Sequence, residues 1–194
     1  IYQLFKRDFL SLYKQSLIGF MWAFIVPLFS VGTFILLNRA GIFNLKGSNV
    51  PYPIFAIMGM AIWHFFSTGL IIGSKSLIRS GSMIKKIKFS RKSLVFASLG
   101  HAVISFLVQI IFLLILFILY GYKPSIYILL LPFLMIPLVL LALGFSFVLA
   151  IMNSIVRDVG NALSIILNFF LFLTPILYVI PDSGFLKIAS KLNP

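Results

Sequence analysis

No cysteine occurs in the 194 residues, so disulfides and thiolate metal sites play no part. Acids are nearly as scarce: Asp8, Asp158 and Asp182 are the only three. Acid–base enzymes and proton-coupled carriers both need positioned ionisable groups, and the long apolar stretches of this chain contain no acid. His64 and His101 are the only histidines. Without carboxylate partners they read as hydrogen-bonded helix residues rather than metal ligands or proton relays. Charged residues make up 10% of the chain, against about 25% in ordinary soluble domains. A phosphate-cradling G-x-x-x-x-G-K-[ST] pattern is missing too; Gly73-Ser74-Lys75-Ser76 shares its flavour but not its spacing.

Apolar surface dominates instead. Hydrophobic residues make up 61% of the chain, and the mean hydropathy is +1.15. A water-soluble fold of this length cannot hide so much apolar surface; lipid as solvent removes the problem. Five stretches lack Asp, Glu, Lys and Arg, with 24 residues between Lys14 and Arg39, 28 between Lys46 and Lys75, 30 between Lys92 and Lys123, 33 between Lys123 and Arg157, and 23 between Asp158 and Asp182. Each suffices for a membrane crossing, which takes about 20 residues of helix. Turn-forming residues separate them: Gly47, Ser48, Asn49, Pro51 and Pro53, then Gly121 to Ser125, then Pro181 to Gly184. Pro27, Pro132, Pro137 and Pro175 fall inside the spans and predict kinks. The expected fold is all-α integral membrane, a single domain over 1–194. It has spans at 17–38, 54–74, 94–120, 126–152 and 159–180, preceded by a surface helix at 1–16. The chain opens on Ile rather than Met, so a fragment or processed form is expected.

The net charge of +13 would suggest nucleic acid in a soluble protein. Here the cations sit at the ends of apolar runs, so the positive-inside rule is the better account. With the N-terminus inside, eleven Lys and Arg lie on the cytoplasmic side and five outside. On a helical wheel, residues 1–16 place Ile1, Leu4, Phe5, Phe9, Leu12 and Tyr13 on one side. Lys6, Arg7 and Lys14 fall on the other, a pattern for a helix lying in the membrane surface on anionic headgroups. Asp8 is off-pattern and is expected to pair with a cation elsewhere.

Three further features bear on function. Lys75 to Lys92 carries seven cations and no acid. Within it Met83, Ile84 and Ile87 make a small apolar face suited to a partner's groove, although periodicity alone favours a basic loop resting on acidic lipids. Arg157 and Asp158 interrupt the fourth and fifth spans. Asp158 suits the capping or flanking of a helix N-terminus; contact with a cytoplasmic subunit is the alternative. Aromatics reach 16% of the chain. Trp22, Trp63 and the tyrosines near span ends fit an interfacial belt, while a minority of aromatics could stack on sugar rings.

The segment Arg7-Asp8-Phe9 through Tyr13-Lys14-Gln15-Ser16 to Gly19-Phe20-Met21-Trp22, followed by Pro27, resembles the start of ABC-2 type permeases. The resemblance is to the subgroup that exports O-antigen, capsular polysaccharide and teichoic acid. Further matches follow in order: Trp63-His64-Phe65-Phe66-Ser67; Met83-Ile84-Lys85-Lys86 with Phe89 and Arg91; Arg157-Asp158-Val159; Leu171 to Tyr178; and Leu192-Asn193-Pro194. Departures are Leu12, Ile62 and Ser90-Arg91-Lys92, where the family often has Arg, Pro and Pro-Arg-Glu. The resemblance implies a permease that pairs with a second copy of itself and with two ATPase subunits, which hold the ATP and Mg; no cofactor is expected in this chain. It implies a multi-pass protein of the bacterial cytoplasmic membrane with a polyprenyl-linked glycan as cargo, no enzymatic activity of its own, and a sixth span beyond the chain's end. It assigns Met83, Ile84, Lys85, Lys86, Phe89, Arg91, Arg157 and Asp158, largely in the cytoplasmic segment 79–92, to the gate and ATPase-coupling surface. It makes Lys6, Arg7, Asp8, Tyr13 and Lys14 part of the interfacial helix, and Trp22, Trp63, Phe65, Phe66 and Tyr178 candidates for the glycan path. Competing readings are an ABC-2 exporter of drug or lipid, a membrane-embedded enzyme acting on lipid-linked sugars, and a secondary transporter.

Overall fold

The computed structural model describes residues 21–41, 50–81, 90–174 and 176. Among them the regular structure is entirely helical. The helices are α1 (Trp22–Arg39), α2 (Tyr52–Arg79), α3 (Lys92–Leu119), α4 (Leu131–Ile155) and α5 (Val159–Leu173), with a 3-10 helix at Ile126–Leu130 leading into α4. Three helical stretches are long and apolar enough to cross a bilayer: Tyr52–Arg79, Lys92–Leu119 and Ile126–Ile155. At 28 residues, α2 is about 42 Å long, well beyond the roughly 30 Å of hydrocarbon. It runs past the expected 54–74 to include Lys75 and Arg79. In contrast, α5 has 15 residues, about 22 Å.

Local chemistry explains the element ends. Pro51 sits at the start of α2, with Pro53 just inside it, where the missing N–H loses no helical bond. Pro132 does the same for α4, and Pro137 is carried within that helix. The end of α3 is a Schellman motif. Gly121, at φ +58°, donates to the Ile118 carbonyl, and Tyr122 donates to that of Phe117. The accompanying contact is aromatic, with the Tyr122 and Phe117 rings stacked 6.0 Å apart.

α2 is the central helix. It packs against all four others, while α4 also meets α3 and α5. Half of its residues are buried, including Gly69, Gly73, Ser74 and Ser76. α4 offers a single narrow stripe to the bundle, Met135, Ala142, Ser146, Ala150 and Asn153. Its other faces present Phe133, Leu134, Leu140, Val148 and Ile155 to the surroundings. In lipid such faces cost nothing, since helices associate there through close packing rather than apolar burial.

Small residues decide how closely α2 and α4 approach. A Cβ on Gly73 would stand 2.5 Å from Ser146 Oγ and 2.7 Å from its Cβ. The Ser146 hydroxyl, fully buried, donates to the Gly69 carbonyl at 3.2 Å. Gly73→Ala is therefore expected to destabilise the bundle by about 1–3 kcal/mol, read as a lower unfolding temperature in detergent by circular dichroism. Adding Ser146→Gly should recover part of that loss; equal stability of Gly73→Ala and wild type would contradict the contact.

Candidate functional site

Basic residues gather at one end of the bundle. Lys75 and Arg79, one turn apart on α2, share a cleft of about 400 Å³ with Asn153 of α4 and with Arg157, which lies in the turn between α4 and α5. All three cations are exposed. Asp158, the one acid among the described residues, forms no ion pair with them. Arg91 and Lys92 are exposed at the start of α3. At the opposite end, Val50 and Ile54 share a second recess with Tyr122, Pro124 and Ser125. The end of α2, the start of α3 and the turn 156–158 thus lie at one end of the bundle, and the start of α2 and the end of α3 lie at the other.

The basic end is held by Asn153, a lone amide in the last turn of α4 with no motif or charge to mark it. Asn153 is 1% exposed. Its Nδ2 donates to the Ser74 carbonyl on α2 at 3.0 Å, and its Oδ1 accepts from the Gly160 N–H in the first turn of α5 at 2.9 Å. The second bond satisfies one of the orphan amides that every helix N-terminus leaves. Asp158 occupies the N-cap position but makes no side-chain capping bond. Of the two structural roles expected for it, it flanks the helix and leaves the capping to Asn153. Its charge still lies at the favourable end of the α5 dipole. A Cβ at Gly160 would stand 2.9 Å from Asn153 Nδ2 and 3.0 Å from Lys75 Cε, so a larger residue there would have to displace one or both of those side chains.

An apolar groove of about 540 Å³ lies along the seam of α2, α4 and α5, lined by Trp63, Phe66, Leu149, Leu163, Leu167 and Phe170 among others. Trp63 and Phe66, both candidates for a glycan path, come together there with ring centroids 6.2 Å apart. Phe65 does not join them. It is 1% exposed and packs edge-on to Phe106 at 6.0 Å, with Leu99, Ala102, Met135 and Ala142 around it. It is a helix-packing residue in this structure, because on α2 it points to the opposite side from Trp63. Trp22 opens α1, but its side chain lies outside the described residues, as do Tyr178, the interfacial-helix residues Lys6, Arg7, Asp8, Tyr13 and Lys14, and the coupling residues Met83, Ile84, Lys85, Lys86 and Phe89.

The two histidines lie on different helices, His64 on α2 and His101 on α3. His101 is buried beside Ser76, Ser80, Ser98 and Arg79 in a recess of about 10 Å³. On α2, the His64 Nε2 is enclosed and has no hydrogen-bond partner among the described residues. Among the described residues no three His, Asp or Glu side chains come close enough to hold a metal ion.

The whole chain, residues 1–194, matches the family described as ABC-2 type transporter. The chain belongs to that family. It is similar to the O-antigen export system permease protein RfbA of Myxococcus xanthus, at 26% identity over 98% of this chain and 74% of that protein. A protein of the same name from Klebsiella pneumoniae is 25% identical over 89% of this chain. This chain spans 66% of the Klebsiella protein's length. ABC-2 membership makes this a multi-pass transporter membrane subunit and accounts for the lipid-suited exterior of α4.

Asn153→Ala leaves the Gly160 amide without its acceptor and should cost about 1–3 kcal/mol, seen as a lower midpoint in thermal unfolding. With no native cysteine to interfere, Arg91→Cys and Arg157→Cys should react with a membrane-impermeant maleimide from the same side, and Lys123→Cys from the other. Labelling of all three from one side would contradict the helix arrangement.

Proposed function

We propose that this chain is the permease subunit of an ATP-driven exporter that moves a lipid-linked polysaccharide of the O-antigen class across the bacterial cytoplasmic membrane. The observation that carries the reading is the alignment of nearly the whole chain with a protein named for O-antigen export. The family match over residues 1–194 supports the transporter class. The gathering of Lys75, Arg79 and Arg157 at one end of the bundle supports placing that end in the cytoplasm, where Lys and Arg accumulate.

Transport in this reading is conformational. A separate ATPase subunit binds ATP and Mg, and its closure biases the permease only through contacts that differ between two states. The basic segment between α2 and α3, with Ile84 and Lys85 at its centre, supplies those contacts together with Asp158 in the neighbouring turn. A second copy of the chain completes the channel. α2 transmits movement as a rigid rod, because it touches every other described helix and its cytoplasmic end is tied through Asn153 to α4 and α5.

Membrane vesicles holding the chain and its cognate ATPase should export the lipid-linked glycan. Changing both Ile84 and Lys85 to Asp should reduce export by at least about tenfold while leaving the chain in the membrane, since two new negative charges disrupt an apolar, basic docking face. Normal export by that variant would remove the coupling surface. Export of a drug or simple lipid in place of the glycan would move the chain to another ABC-2 cargo class.

A further inference from the structure

We propose that the seam of α2, α4 and α5 at the basic end binds the phosphate headgroup of a lipid, with the lipid's chain entering the apolar groove that adjoins it. The head site is the cleft of about 400 Å³ that Lys75, Arg79, Arg157 and Asn153 line together with Ile71 and Ile72. Three cations share it, and no ion pair within the described residues neutralises any of them. Cations gathered along one cleft make a positive field that attracts an anion. Arginine favours a phosphate through its planar pair of N–H donors, and lysine meets it as a point charge.

The surroundings decide between a lipid and a soluble anion. Ile71 lines the cleft and also packs on the Leu70, Leu163 and Leu167 cluster, whose three residues line the adjoining groove. Leu149 and Leu163 of that groove lie about one turn from Asn153 and Gly160 on their own helices, so head site and groove are neighbours along one seam. The groove holds about 540 Å³ and is lined almost wholly by apolar side chains, which suits a hydrocarbon chain and not a free phosphate or nucleotide. The Lys75 side chain passes beside Gly160, so its stem lies on the seam although the residue as a whole is exposed. Long basic side chains at a span end adopt this arrangement at headgroup depth.

Two lipids carry this chemistry: an anionic phospholipid of the inner leaflet, and the polyprenyl diphosphate that anchors the proposed cargo. Only the second rests on the exporter reading. Native mass spectrometry of the full chain in detergent separates them, with phosphatidylglycerol, a polyprenyl diphosphate and uncharged diacylglycerol offered in turn. One or both phosphate lipids should be retained about tenfold better than diacylglycerol, and Lys75→Gln with Arg157→Gln should lower that retention about tenfold. Lys75→Arg, which keeps the charge, should retain the lipid, and so should Lys123→Gln at the opposite end. If the double variant does not fold, Arg79→Gln, an exposed position, reports on the same cleft. Retention of phosphatidylglycerol alone assigns a leaflet lipid, and retention of the diphosphate assigns the cargo anchor. Equal retention of diacylglycerol, or retention unchanged in the folded glutamine variants, overturns the site. Lost glycan export with lipid retention intact counts against the exporter reading and leaves this site standing.

Discussion

The carboxamide of Asn153 joins three helices with two hydrogen bonds, one to the Ser74 carbonyl and one from the Gly160 amide. Gly160 is buried, and a buried backbone amide left without an acceptor costs about 1–3 kcal/mol, so the first turn of α5 needs an acceptor from the protein itself. Asn153 provides it from the last turn of α4 and holds α5 against the long α2 at the same time. The placement of the basic cleft, the start of the apolar groove and the turn carrying Arg157 and Asp158 all depend on this connection.

Above the joint, association of α2 and α4 depends on small residues. Gly69, Gly73, Ala142, Ser146 and Ala150 let the two backbones approach until the Ser146 hydroxyl reaches the Gly69 carbonyl. Larger side chains move to the flanks: Phe65 with Phe106 on the α3 side, Trp63 with Phe66 on the α5 side. Two aromatic neighbours in sequence, Phe65 and Phe66, therefore take different roles. One fills the bundle and the other borders a groove open to the surroundings. Close packing at the centre is what leaves that groove at the periphery, since α5 is short and touches the bundle mainly through Gly160, Leu163 and Leu167.

Charge organises the molecule along its long axis. Cations are confined to the helix ends, and among the described residues Asp158 alone opposes them. Such an end attracts anionic headgroups and acidic partner surfaces alike. Asp158 lies in the same turn as Arg157 but outside the cleft.

Much of this was legible in the chain because lipid solvation imposes a one-dimensional rule: long uncharged runs cross, and basic turns mark their ends. Helical class and transporter family followed from that rule and from motifs spread in order along the chain. Boundaries were less legible, since α2 continues through Lys75 and Arg79, charged residues that end an apolar run without ending a helix. Nothing in periodicity separated Phe65 from Phe66, or marked Asn153 as more than one polar residue in an apolar span. The sequence by itself determined solvent, helical class and the ends at which charge collects, because those depend on composition read along the chain. The α2–α4–α5 joint, the burial of Phe65 and the convergence of Lys75, Arg79 and Arg157 were decided only in three dimensions. They depend on which faces of distant helices meet, and that is set by the close fit of Gly73 to Ser146 and of Gly160 to Asn153.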